Sequence, residues 1–319
     1  MTGWLLLLAT GLLCLCGAGY ERWAAARDRR RLPMPGQHVQ VGETLLHVGL
    51  LGRRMRPSHP VLVLDGGLVR GSLAWTQVVA ALGADWLVVV FDRAGHNWST
   101  RAHGPRTAEA NLAEQREMLA QLHLAPPWLL VAHGYATHIA RLHAARHPTD
   151  IGGLVLVDPL PAAQAAACTR SAFARSLWWK LPAARLGLWR LARHLPARRA
   201  PAETGAALLW QSAKDLEAAR AELACLARDV ATIEAAAPPA QPCLLVAATR
   251  DSAPLRAMAA RLPQGGLRLV DPPARRATDP GADPGATPWA APDVVVRAIR
   301  EVAGRIAPSH PPPGGDASG

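Results

Sequence analysis

Four short runs at 61–64, 86–91, 127–131 and 153–157 constrain this chain most. Each is apolar almost throughout. Strands buried on both faces read this way, whereas half-exposed strands alternate apolar with polar. Helical spacing separates them: over 106–122, Leu112, Met118, Leu119 and Leu122 share related faces, and 135–147 reads as a second helix. Buried strands alternating with helices predict an α/β fold, a mostly parallel sheet with helices on both faces. A hairpin at 38–41 and 45–48 turns at Gly42-Glu43 ahead of this pattern. The rhythm breaks over 162–236, which is rich in alanine and arginine and reads as helical, interrupted by Pro182, Pro196 and Pro201. It resumes with strands at 243–247 and 267–270 and a helix at 293–306. A helical insertion between two sheet strands predicts a cap over their carboxyl ends.

The ends of the chain add an anchor and a tail. Residues 4–19 are apolar apart from Thr10, then Glu21, Arg22 and a basic cluster at 27–31 follow. The run is long enough for a membrane span. Positive charge stays cytoplasmic, which predicts an uncleaved anchor with the amino terminus outside and the domain inside. A cleaved signal peptide, leaving the domain secreted or lumenal, is the rival reading, although it prefers its charge before the apolar run. The predicted organisation is 1–20 transmembrane anchor, 21–36 basic stalk, 37–160 first core part, 161–240 helical cap, 241–306 second core part and 307–319 disordered tail. The net charge of +11 is almost all arginine, Lys180 and Lys214 being the only lysines. No long basic run interleaved with aromatics occurs, which excludes nucleic acid as the expected partner. Membrane lipid is the expected partner, through the N-terminal helix and through cap segments 176–181 and 186–191, whose tryptophans could instead pack on the core. The five cysteines lack the spacing of a disulfide framework or zinc site. No metal and no cofactor are expected.

Between the 127–131 strand and its helix lies Ala132-His133-Gly134-Tyr135-Ala136. This is where a G-x-S-x-G nucleophile elbow would stand. Phe91-Asp92-Arg93-Ala94-Gly95-His96-Asn97-Trp98-Ser99 is similar to a D-R-x-G-x-G-x-S loop, and 154–159 resembles the strand that precedes a cap. Over 37–306 the chain resembles the α/β-hydrolase superfamily of serine esterases and lipases. The resemblance implies an α/β-hydrolase fold, a serine nucleophile, a histidine base, an acid and an oxyanion hole of two backbone N–H groups.

Measured against that set, the machinery is degenerate. Gly134 has no side chain to attack with, although glycine suits the left-handed turn of an elbow. The resemblance places the base between the last strand and the last helix, but 271–292 contains no histidine. His310 lies beyond the last helix. Asp251 and Asp158 occupy the two positions where relatives carry the acid, and with no histidine to orient they read as turn residues. The oxyanion hole can persist through the N–H groups of Leu68 and Tyr135, with Gly66-Gly67 in the loop. His96 and His133 sit beside motifs without a third metal ligand; His103, His123 and the histidines of the 135–147 helix read as surface or interhelical. The first functional expectation is an inactive, membrane-anchored relative of serine hydrolases that binds or regulates, a small lipophilic molecule being the candidate ligand and the protein partner unknown. The second is an active hydrolase of small lipophilic esters or amides using rearranged residues. A purely structural membrane protein is a third.

Overall fold

The computed structural model describes residues 2–31, 35–55, 59–68, 71–193, 212–249, 252–270 and 287–306. Helix α1 (Thr2–Arg31) runs unbroken across residue 20, so residues 21–31 of the expected stalk continue the helix of the expected anchor. Strands β1 (Gln37–Val41) and β2 (Thr44–Leu51) form the hairpin, with Val41 opposite Thr44. Then follow β3 (Val61–Asp65), α2 (Thr76–Leu82), β4 (Val88–Phe91), α3 (Ala108–Gln121), β5 (Trp128–His133), α4 (Ala136–Arg146) and β6 (Ile151–Val157). The four cap helices α5 (Ala162–Thr169), α6 (Ala172–Arg185), α7 (Leu188–Arg193) and α8 (Ala213–Ala235) come next. Strand β7 (Cys243–Ala248), α9 (Ala253–Ala260), β8 (Gly265–Val270), α10 (Thr287–Ala290) and α11 (Pro292–Arg305) complete the chain.

The sheet has the order β1-β2-β4-β3-β5-β6-β7-β8, antiparallel at β1-β2-β4 and parallel from there on. Every position of β3, β4 and β5 is buried, as their unbroken apolar runs require. Alternate residues serve opposite faces. Leu129 and Val131 pack towards α2 and α11, while Leu130 and Ala132 pack towards α3 and α4. The chain steps from β3 outward to β4 and then returns to the other side of β3 as β5. Such a reversal opens a crevice at the carboxyl ends of the strands, here beyond Asp65 and His133.

The cap closes over that end. Helices α5 and α6 pack on α8, and α8 lies on α3 and α4. Leu216, Leu223 and Leu226 of α8 join Tyr135, Ile139 and Leu142 in one apolar cluster. Ser171 and Ser212 cap α6 and α8 by accepting from the N–H groups of Ala174 and Asp215. Pro182, expected to interrupt the cap, lies inside α6 instead. Its ring denies a partner to the Trp178 carbonyl four residues back. That turn is on the exposed face, where water can supply the missing bond. Pro196 and Pro201 lie outside the described residues.

Candidate functional site

Gly134 adopts φ +56, between the last residue of β5 and the first turn of α4. Its N–H donates to the Val157 carbonyl at 2.9 Å, and its carbonyl accepts from the Thr137 N–H at 3.1 Å and the Thr137 hydroxyl at 2.6 Å. The backbone turn of a nucleophile elbow is therefore present. A Cβ at Gly134 would stand 4.0 Å from the Cα of Gly67 and meet nothing closer. Among the described residues, no atom fills the place of the reactive side chain.

The loop after β3 stands opposite. A Cβ on Gly66 would fall 2.2 Å from the Gly71 carbonyl oxygen, and one on Gly67 would fall 2.9 Å from Nδ1 of His133. Only glycines allow this approach. Leu68 is half-buried against the cap's apolar cluster. Tyr135 is buried, its hydroxyl 3.3 Å from both the Arg106 carbonyl and Oδ2 of Asp229, with the Arg93 guanidinium carbon 5.4 Å from the ring centre. The expected oxyanion-loop residues thus converge on the elbow, and Tyr135 also ties it to α8.

A buried ion network forms the boundary between loop and cap. Arg93 donates to Oε1 and Oε2 of Glu222 at 2.8 and 3.1 Å, to the carbonyls of Gly66 and Gly67 at 2.6 and 3.0 Å, and to Asp65. His96 Nε2 lies 3.4 Å from Glu222. Burial opposes the Glu222 carboxylate, but Arg93 and His96 outweigh it and hold its pKa down to about 2. Burial dominates at Asp65 and pushes it up to about 6 against the pull of Arg93. Helix α8 adds two further acids. Asp215 accepts from the Asn97 N–H at 2.7 Å, and Asp229 accepts from the Ala108 N–H at 3.0 Å. Lys214 donates to the carbonyls of Asn97 and Ser99, each at 2.5 Å.

Asp92, in the loop after β4, works inside the fold. Its carboxylate meets His47 Nδ1 at 2.7 Å, the Ser72 N–H at 2.7 Å and the Asn97 amide at 2.9 Å, while His47 Nε2 meets the Pro35 carbonyl at 2.7 Å. Burial disfavours both charges, yet the pairing lowers the Asp92 pKa and raises that of His47. Asn97, in place of the motif's glycine, sits at φ +36.

Asp158, read from sequence as having no histidine to orient, has His133 Nε2 3.5 Å away, a contact without a hydrogen bond, since both buried His133 ring nitrogens lack a hydrogen-bond partner among the described residues. They stand 25 positions apart in sequence, and the sheet brings them close by pairing His133 at the end of β5 with Val157, the residue before Asp158. Asp158 also accepts from the Ala248 N–H at 3.1 Å and from the Thr287 hydroxyl at 2.7 Å, fixing α10 beside β7. Asp251 and most of 271–292 lie outside the described residues, and so does His310. Of the α4 histidines expected at a surface or between helices, His143 lies between helices, its Nδ1 3.1 Å from Gln115 of α3, and His138 is buried; burial lowers both to about 4. Among the described residues no three His, Cys, Asp or Glu side chains gather as a metal site. An open cleft of about 750 Å³ runs along α3 past Arg116, His123 and Trp128, at the other end of β5 from Gly134.

Sequence reasoning missed His47, Asp65, Glu222 and Asp229. For α8 a signal existed: Asp215, Glu222 and Asp229 recur every seven residues, which keeps them on one helical stripe.

The model of the alpha/beta hydrolase fold family matches residues 60–219. Among curated proteins, the uncharacterized protein YqjL of Bacillus subtilis is 31% identical over 106 residues, 33% of this chain and 42% of that protein. An AB hydrolase superfamily protein of Gibberella zeae is 31% identical over 109 residues, 33% of this chain and 34% of that one. The matches thus span less than half of these relatives' lengths. Among solved structures, haloalkane dehalogenase DbeA of Bradyrhizobium elkani superposes with a TM-score of 0.64 at 17% identity, covering 84% of this chain and 97% of that one. The enol-lactonase of Burkholderia xenovorans gives 0.58 at 20% identity, covering 83% and 98%. At such identities the likeness is one of fold alone.

Proposed function

The chain belongs to the α/β-hydrolase fold family, and we propose that within it this protein is a membrane-anchored, non-hydrolytic module that binds or regulates. The observation that carries this reading is the bare elbow: Gly134 keeps the left-handed turn and offers no nucleophilic atom. The Arg93–Glu222 network supports it. A guanidinium that holds the Gly66 and Gly67 carbonyls and a cap carboxylate together ties the cap to the oxyanion loop. Opening that contact would leave buried charge unpaired. Without the nucleophile, the remaining advantage over water comes from binding and the oxyanion hole, on the order of 10³–10⁴.

One observation favours the second reading, hydrolysis of small lipophilic esters or amides by rearranged residues. His133, one residue before the elbow, has a buried imidazole with neither ring nitrogen hydrogen-bonded among the described residues and the Asp158 carboxylate 3.5 Å away, which would make it a base able to activate water. Hydrolysis of short- and medium-chain acyl esters by the full chain and by Gly134→Ser separates the two. We expect turnover by neither. Turnover by the unmodified protein that disappears in His133→Gln would overturn the non-hydrolytic reading in favour of the second.

A further inference from the structure

Helix α1 does not leave its apolar segment as a free tether. From the last turn of the run onward, the stripe Gly17, Glu21, Ala24 and Asp28 faces the cap, with Glu21 and Ala24 buried. Arg190 of α7, itself buried, donates to Glu21 at 2.6 Å and also pairs with Asp28. The α6–α7 turn closes on the same stripe at backbone distance. A Cβ on Gly17 would fall 2.6 Å from the Leu186 carbonyl oxygen, and one on Gly187 would fall 2.7 Å from the Tyr20 ring. This contact fixes the height of the turn relative to the membrane. At about 1.5 Å per residue, residues 2–19 rise roughly 27 Å, close to the hydrocarbon thickness of a bilayer. With α1 across a bilayer, Gly17 and Tyr20 would stand at its boundary, just before Glu21, the first charged residue of α1.

We propose that the α6–α7 end of the cap is a membrane-docking surface resting in the headgroup layer of the bilayer that α1 crosses. The proposal rests on α1 being an uncleaved anchor. The exposed side chains fit this occupant. Leu188 and Leu191 of α7 are 53% and 52% exposed, and Trp178 and Trp179 of α6 are 79% and 46% exposed. Trp23 on α1 is exposed beneath the Arg27 guanidinium, and Lys180 lies over the Trp179 ring. Apolar side chains interleaved with cations suit the boundary between acyl chains and phosphates. The surface is continuous with the anchor, so docking costs little additional ordering, since Arg190 already holds the cap against α1.

The test uses the full chain in vesicles of phosphatidylcholine and phosphatidylserine, with its five cysteines replaced by alanine. Single nitroxide labels are placed by Leu188→Cys on the cap, Leu8→Cys in the apolar run and Met55→Cys on an exposed loop. Relative accessibility to oxygen and to a nickel chelate reports depth. The label at Leu188 is expected to shift away from the Met55 value towards that of Leu8. Adding Arg190→Ala should return it to the Met55 value and leave Leu8 unchanged. A Leu188 label matching Met55 while Leu8 reads as immersed overturns the docking surface alone. A Leu8 label in water overturns the anchor, and the docking surface with it.

Discussion

At Gly134 a substitution meets a cost in the backbone and none in the surroundings. The Cβ of a serine there would stand 4.0 Å from the Gly67 Cα, but φ +56 penalises any residue with a Cβ by about 1–2 kcal/mol. Gly134→Ser is therefore expected to unfold at lower urea by about that amount, with the fold retained by circular dichroism. His138 carries a pH dependence. Burial and the nearby Arg141 lower its pKa from 6.5 to about 4. The folded state holds the imidazole neutral, so its contribution is fully present above pH 6.5 and is lost as pH falls towards 4. In urea melts from pH 7 to 4, His138→Gln should lose less stability than the unmodified protein. Both readings were half visible in sequence. A glycine at an elbow position shows in the motif, whereas the burial of His138 depends on what packs over α4.

Helix α8 shows the same division among its charges. On a helix, three acids at seven-residue spacing read equally well as a solvated face. They are ligands of the core here because α8 is laid across α3 and α4. Glu222 is fully buried against Arg93. Removing one partner of a buried pair costs about 3–5 kcal/mol, most of it from the charge left behind. Glu222→Ala should fall in that range, less whatever Asp65 retains on Arg93. A double-mutant cycle with Arg93→Met should give a coupling above 0.5 kcal/mol, the lower end for residues in one network. Ser212→Ala removes the cap at the start of α8 and should cost about 1 kcal/mol. A melt in which Glu222→Ala matches the unmodified protein would show that the network does not hold the cap.

For the whole molecule, Arg190 ties helix α1 to the cap through Glu21 and Asp28. Among the described residues one helix, α1, is long and apolar enough to cross a membrane. If it stays, sodium carbonate at high pH should leave the full chain in the membrane fraction with its first residues intact by mass spectrometry. A soluble product beginning after the apolar run would identify a signal sequence instead. Arg190→Ala should raise protease sensitivity between α1 and β1 without releasing the anchor.

The sequence by itself determined the layered α/β fold, the elbow and its missing side chain, because these depend on local apolar runs and on a turn that glycine satisfies. The cap was legible as a helical break in that rhythm. The approach of His133 to Asp158, the Arg93–Glu222 lock and the packing of α1 on α7 were decided only in the tertiary structure. Each joins residues from separate elements, and a charge acquires its role from the partner and the burial that packing supplies. Pro182 marks the same limit: proline predicts a break, but the exposed face of α6 lets the helix continue.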